Sequence, residues 1–296
     1  MAGLSSQDET ASNARPRVVR VLINPLAGSV PADAREVIEP VLADHGVDAH
    51  FEIMDQDCEA VCERMRGQSA DAIIVWGGDG TLACALNILG PDAPPILPLA
   101  GGTMNMLPRM VHDEIEDRAA CLQAVLSAPS LVTLNAGEVE GRRFYVGALL
   151  GGLTRLAGPR ESLRKADIVK AVTEFSEADA FSLDTPMRYH PSAAPDATAQ
   201  ALGIFLSDTA HKPGFDILAT APENLLDLAV TGLSGLLDDW RQATGVERLT
   251  AREVDVEALE STGIEATLDG EPVTLPRKIR FELIEGAARI LAARKA

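Results

Sequence analysis

Apolar residues come in two rhythms along this chain, and the change falls near Pro129. Before it, short apolar runs alternate with stretches of helical spacing. Val18–Ile23, His50–Met54, Ala72–Trp76 and Ile96–Leu99 read as strands. Ala32–Asp44 (with Pro31 at its start), Glu59–Arg66, Leu82–Leu89 and Asp113–Ser127 read as helices, the last with Ile115, Ala119, Leu122 and Leu126 on one face. Alternating strands and helices predict a parallel sheet covered on both sides, a Rossmann-like α/β domain. After Pro129, strand-like runs follow one another: Leu131–Val139, Arg143–Val146, Ala201–Leu206, Asp227–Thr231, Val246–Val256, Glu265–Leu268 and Lys278–Leu283. They predict a β-rich, sandwich-like domain, interrupted by helices at Glu161–Glu177 and Leu233–Ala243. Thr185–Gln200, rich in Pro, Ala and Ser, reads as an exposed loop, and the alanine-rich Glu285–Ala293 as a helix.

Three of the early strands run into polar, glycine-bearing turns. Val18–Ile23 ends in Asn24-Pro25-Leu26-Ala27-Gly28-Ser29. Ala72–Val75 runs into Trp76-Gly77-Gly78-Asp79-Gly80-Thr81, and Ile96–Leu99 into Ala100-Gly101-Gly102-Thr103-Met104-Asn105, with Arg109 just beyond. Without a Cβ, glycine lets a backbone pass close to a ligand. A turn that opens a helix also points unpaired N–H groups outward, which favours phosphate. Each turn alone also has a plain reading, with Asp79 and Thr81 as helix caps. In an open parallel sheet, however, the ends of successive strands lie along one edge, where ligands bind.

Composition narrows the picture. The 296 residues suffice for two domains. The net charge of −18 argues against a nucleic-acid partner, which needs a basic face, and against broad electrostatic adhesion to an anionic membrane. Met1–Pro16 is polar and lacks the apolar stretch of a signal peptide, so a disordered tail is expected over residues 1–16. No apolar run reaches the length of a membrane span. Cys58 and Cys62 lie four apart on a helix, but no neighbouring histidine completes a metal set, so free thiols are expected at these positions and at Cys84 and Cys121.

The asparagine–proline turn, the G-G-D-G-T run at 77–81 and the later G-T-x-N at 102–105 with its following Arg109 resemble, in order and spacing, the diacylglycerol kinase catalytic domain. That family includes bacterial lipid kinases and sphingosine kinases and shares a superfamily with NAD kinases. Weaker matches are Leu268-Asp269-Gly270-Glu271 and Pro222-Glu223-Asn224-Leu225-Leu226-Asp227, and the resemblance extends to the C-terminus. It departs from the family's habits at Leu26, Met54, Ala100, Pro213-Gly214 and Glu223-Asn224. The resemblance implies a nucleotide-binding domain over residues 17–129 and a β-rich substrate domain over 130–284. Residues 285–296 are then expected to form a helix that returns to the first domain.

What the resemblance implies chemically is an ATP- and Mg²⁺-dependent lipid kinase that moves the γ-phosphoryl group to a hydroxyl of a diacylglycerol-like lipid. Such a transfer needs a held triphosphate, a metal that neutralises charge and a base for the hydroxyl. Gly77, Gly78, Gly80 and Gly102 can offer backbone N–H groups, and Thr81 and Thr103 hydroxyls. Asn24 and Asn105 can bond the nucleotide or lock the turns to each other. Asp79 can act through Mg²⁺ or bond a nucleotide hydroxyl, and Arg109 is the candidate cation. Glu271 is the favoured proton acceptor and Asp269 the second choice; two apart, they would share one side of an extended strand. Glu223 and Asp227 are candidate metal ligands. Leu149–Leu153, Met104, Met106 and Leu107 could line an apolar channel or form core. The expected partners are ATP and a lipid alcohol, in a cytoplasmic protein with transient peripheral contact at the inner membrane face. Two alternatives stay open: an NAD kinase-like small-molecule kinase, and a nucleotide-binding regulatory protein that has lost turnover.

Overall fold

The structure, a computed structural model, describes residues 15–55, 57–113, 116–151, 186–192, 194–207, 213–220 and 247–293. They fall into two compact units, the first within Met1–Ala136 and Ile284–Ala296, the second within Gly137–Ser207 and Lys212–Leu283. The strand Asp227–Thr231 and the helices Glu161–Glu177 and Leu233–Ala243, expected from the sequence, lie outside the described residues.

The first unit alternates strand and helix through β1 (Val18–Ile23), α1 (Ala34–Asp44), β2 (Asp48–Ile53), α2 (Cys58–Met65), β3 (Ala72–Gly77), α3 (Asp79–Leu89), β4 (Ile96–Ala100), α4 (Met106–Val111) and α5 (Arg118–Ser127). The strands pair in parallel in the order β2-β1-β3-β4. Val19, Val21, Ile23, Ile74, Trp76, Leu97 and Leu99 point to one face, where Ile38 and Leu42 of α1 and Leu122, Val125 and Leu126 of α5 close the core. On α5 the Asp117 carboxylate caps the helix by accepting from the Ala120 N–H, so the helix starts later than Asp113. Helices α2 and α3 pack together. β3 is buried at every residue, as a central parallel strand covered on both sides should be.

The second unit is antiparallel. Its strands include the end of β5 (Pro129–Val139), β6 (Arg142–Phe144), β7 (Gly147–Gly151), β8 (Met187–Pro191), β9 (Ala197–Ala199), β10 (Ala201–Leu206), β11 (Phe215–Thr220), β12 (Glu247–Ala251), β13 (Glu253–Ala258), β14 (Gly263–Leu268), β15 (Glu271–Pro276) and the first part of β16 (Lys278–Ala293). Six of them form a sheet ordered β12-β11-β10-β7-β14-β15, while β16, β13, β8 and β9 pair in a second array. Side chains from both arrays meet in one core. At its centre Phe144 stacks on Phe215 and meets Phe281 edge-on, with centroids 6.1 and 6.0 Å apart. The expected α/β unit and β-rich unit are therefore both present.

Several expected elements differ. Residues 187–191 and 197–199, expected within an exposed loop, are strands: Met187, Tyr189 and Pro191 turn inward while Arg188 and His190 stay out, the period of a half-buried strand. Val246–Val256, read as one strand, is two, because β12 pairs with β11 and β13 with β16 and β8, so the chain changes partners at Arg252. Residues 285–293 are not a helix but the second part of β16. Alanine is the best helix former, but propensity differences are under about 1 kcal/mol per residue, and pairing beside β4 together with burial of Ala287, Ala288, Ile290, Leu291 and Ala292 overrides them. Within β16, Gly286 takes a positive φ of 64°.

Candidate functional site

The three glycine-bearing turns follow β1, β3 and β4, so all leave the carboxyl ends of neighbouring parallel strands. In the order β2-β1-β3-β4 the strand sequence reverses between β1 and β3. That is the topological switch point, where open α/β sheets hold ligands. The side chain of Asn24 spans it: its amide donates to Thr81 Oγ1 at 2.9 Å, and its oxygen accepts from the Leu26 N–H at 2.9 Å. Both Asn24 and Thr81 are buried, and the amide locks the first turn to the second. Leu26, at the tip of that turn, is 85% exposed.

The second and third turns are joined by their backbones. The Gly101 N–H donates to the Gly77 carbonyl at 2.8 Å. A Cβ on Gly101 would stand 2.5 Å from Val30 Cγ2 and 2.9 Å from the Gly77 backbone, and one on Gly102 would stand 2.9 Å from Gly78 Cα. No side chain fits in that crossing, so these glycines answer first to the approach of two main chains. Asn105 sits in the left-handed region, at φ 51°, which asparagine tolerates. Its amide accepts from the Gly102 N–H at 2.8 Å and donates to the Gly102 carbonyl at 3.0 Å, closing the third turn on itself.

Asp79 is the first residue of α3. The cap of that helix is Gly78, which has no side chain to satisfy the first-turn N–H groups. Half-buried, the Asp79 carboxylate accepts from the Leu107 N–H of α4 at 3.3 Å, so it caps the neighbouring helix. Gly80 is the second residue of α3. Thr103 and Arg109 are exposed, and Arg109 pairs with Glu116 at 3.2 Å. Met104 and Met106 are half-buried and Leu107 is buried.

Sequence reasoning passed over Arg118. Its guanidinium donates to the Ala100 carbonyl at 2.8 Å, to Ser29 Oγ at 3.2 Å and to the Glu116 carbonyl. The Trp76 indole donates to the same Ala100 carbonyl at 3.1 Å, and Ser29 Oγ donates to the Gly102 carbonyl at 3.1 Å. One arginine thus ties the first turn to the third. Nothing local marks it, because the two acceptors that tie the turns, the Ala100 carbonyl and the Ser29 hydroxyl, are brought in by the fold.

In the second unit, Asp269 and Gly270 are the central residues of the two-residue hairpin between β14 and β15, with φ of 48° and 83°. Two positive φ values are the mark of a type I′ turn. The two carboxylates therefore do not share a side of one strand. Asp269 turns inward and accepts from the N–H groups of Tyr145, Val146 and Gly147 at 2.7, 2.9 and 3.0 Å. It holds the link between β6 and β7. Burial in this corner pushes the Tyr145 hydroxyl up to about 12. Glu271 opens β15 and is exposed. Glu223 and Asp227 lie outside the described residues, as do Gly152 and Leu153. Leu150 is buried core and Leu149 half-buried.

Residues 18–134 match the model of the diacylglycerol kinase catalytic domain. No curated protein matches the chain. Among solved structures, one described as a diacylglycerol kinase from Bacillus anthracis str. Sterne covers 94% of this chain and 98% of its own at 17% identity, with a TM-score of 0.65. Two further structures from that organism are 18% identical, each over 94% of this chain and 98% and 97% of their own, with TM-scores of 0.71 and 0.69. At such identities the likeness is one of fold. The chain therefore shares the fold of these bacterial proteins, and over residues 18–134 it carries the sequence pattern of the diacylglycerol kinase catalytic domain family.

Proposed function

We propose that this protein is an ATP- and Mg²⁺-dependent lipid kinase that phosphorylates a hydroxyl of a diacylglycerol-like lipid. The observation that carries the reading is the edge formed by three interlocked turns at the switch point, with a helix start capped only by glycine. Gly78, Asp79 and Gly80 would hold the phosphates there through backbone N–H groups, where the positive end of the α3 dipole favours negative charge, and Gly102, whose N–H is taken by Asn105, would only leave room beside them. The glycine crossing supports this fit, since it leaves main chain where side chains would stand. Asn24, Thr81, Asn105 and Arg118 keep the turns in place and cost no rearrangement when the nucleotide binds.

Bound Mg²⁺ would neutralise charge on the phosphates, with Asp79 the described carboxylate at this edge and Glu223 and Asp227 the further candidate ligands. Of the two hairpin carboxylates, Glu271 is assigned as the base that accepts the proton of the lipid hydroxyl. Asp269 is assigned as a positioning residue, because three N–H groups already occupy its oxygens. Thr103 and Arg109, exposed beside the third turn, would meet the nucleotide from solvent. Contact with the lipid would be transient and peripheral: among the described residues no helix is long and apolar enough to cross a membrane.

The test is transfer of labelled γ-phosphate from ATP to a panel of lipid alcohols, with Asp79→Ala alongside. Labelled lipid, lost in the variant, is expected and would name the acceptor. ATP binding by calorimetry without labelled product from any lipid would leave a nucleotide-binding protein without this activity.

A further inference from the structure

The sequence pairs Cys58 with Cys62 and leaves them without a third ligand. The fold supplies one. Packing of α2 on α3 brings in Cys84, and the sulfurs of Cys58, Cys62 and Cys84 all lie within 4.8 Å of one another. Cys62 is wholly buried, whereas Cys58 and Cys84 are half-exposed. The Cys58 and Cys62 sulfurs are 3.8 Å apart. A tetrahedral zinc ion with metal–sulfur bonds of ~2.3 Å spaces its sulfurs by ~3.8 Å. One sulfur pair already has this spacing, and the third sulfur lies within 4.8 Å of both, close enough to complete one face of such a tetrahedron, while partial exposure leaves room for a water as the fourth ligand.

We propose that Cys58, Cys62 and Cys84 form a three-thiolate site for a soft divalent cation of the zinc class. Among the described residues no histidine or carboxylate joins the trio, so the site selects thiophilic ions over Mg²⁺ or Ca²⁺. Binding replaces thiol protons by the metal and releases them to solvent. The ion clamps α2 to α3 one turn beyond Gly80 and Thr81, and so braces the helix that begins at the glycine turn. Cys58 Sγ already approaches the Thr81 carbonyl at 3.7 Å, which places the site next to that turn.

The experiment uses the reduced, metal-free full chain, titrated with Co²⁺ as the probe and then with Zn²⁺. Thiolate-to-cobalt charge-transfer absorption that saturates at one equivalent and is displaced by Zn²⁺ is expected. Affinity should fall at least tenfold in Cys84→Ser and Cys58→Ser and stay unchanged in Cys121→Ser. Absence of the absorption, or full affinity in Cys84→Ser, would overturn the proposal. A second readout needs no variant: Zn²⁺ should slow alkylation of Cys58, measured by peptide mass, and an unchanged rate would overturn it as well. None of these readouts uses phosphoryl transfer, so the site stands or falls apart from the kinase reading.

Discussion

The turn edge of the first unit and the hairpin of the second use polar groups in opposite senses. At the edge, two glycine-bearing turns cross main chain on main chain, and the start of α3 is capped by a residue with no side chain. The hairpin does the reverse. There a carboxylate enters the structure and takes three N–H groups out of play, while its neighbour two positions on stays at the surface. The N-cap of α3 supplies no side-chain hydrogen bond to its helix, whereas at the hairpin one carboxylate accepts three. Phosphate is held by donors, and a proton is taken by a carboxylate that solvent and substrate can reach. The difference supports the proposal that the nucleotide binds at the glycine edge and that Glu271, rather than Asp269, is the base.

Substitutions can break this contrast. The largest effect on stability should come from Asp269→Ala. It strands three N–H groups, at least two of them buried, at about 1–3 kcal/mol each, for a loss of at least about 3 kcal/mol in denaturant unfolding. If that variant unfolds like the parent, the carboxylate is not what holds the β6–β7 link. Next comes Gly101→Ala, whose new methyl collides with Val30 and the Gly77 backbone. Overpacking of this kind costs about 1–3 kcal/mol, seen as a lower unfolding midpoint.

Asp79→Ala sharpens the comparison by separating folding from turnover. It removes one helix cap, worth about 1 kcal/mol, and should leave a folded protein with no kinase activity. Near-normal activity there would sink the nucleotide assignment. The smallest stability change belongs to Glu271→Gln, an exposed substitution that should leave the midpoint in place. Its rate should nonetheless drop by about 10²–10⁴-fold, as when a general base is lost, with ATP affinity unchanged by calorimetry. A collapse of ATP affinity at an intact rate would remove Glu271 from its role.

Much of the site was legible because its signals are local. Strand runs ending in glycine, asparagine and aspartate mark the three turns, and the positions of Asn24, Gly77–Thr81 and Gly101–Asn105 follow from them directly. The duty of each side chain was less legible. Asn24 could equally have bonded nucleotide, and only its distance to Thr81 shows it locking the first turn to the second. Arg118 left no mark at all, since the carbonyl and the hydroxyl it bonds lie 18 and 89 residues away along the chain.

By itself, then, the sequence determined the alternating α/β half, the strand-rich half and the turns at the strand ends, because periodicity and glycine act over a few residues. The tertiary structure decided what depends on distant partners. It made residues 285–293 a strand rather than a helix, because a place beside β4 satisfies backbone and buries alanine at once. It turned Asp269 inward, because the β6–β7 link presents three N–H groups to it. And it brought Cys84 to Cys58 and Cys62, because α2 and α3 pack face to face, a contact written in neither helix alone.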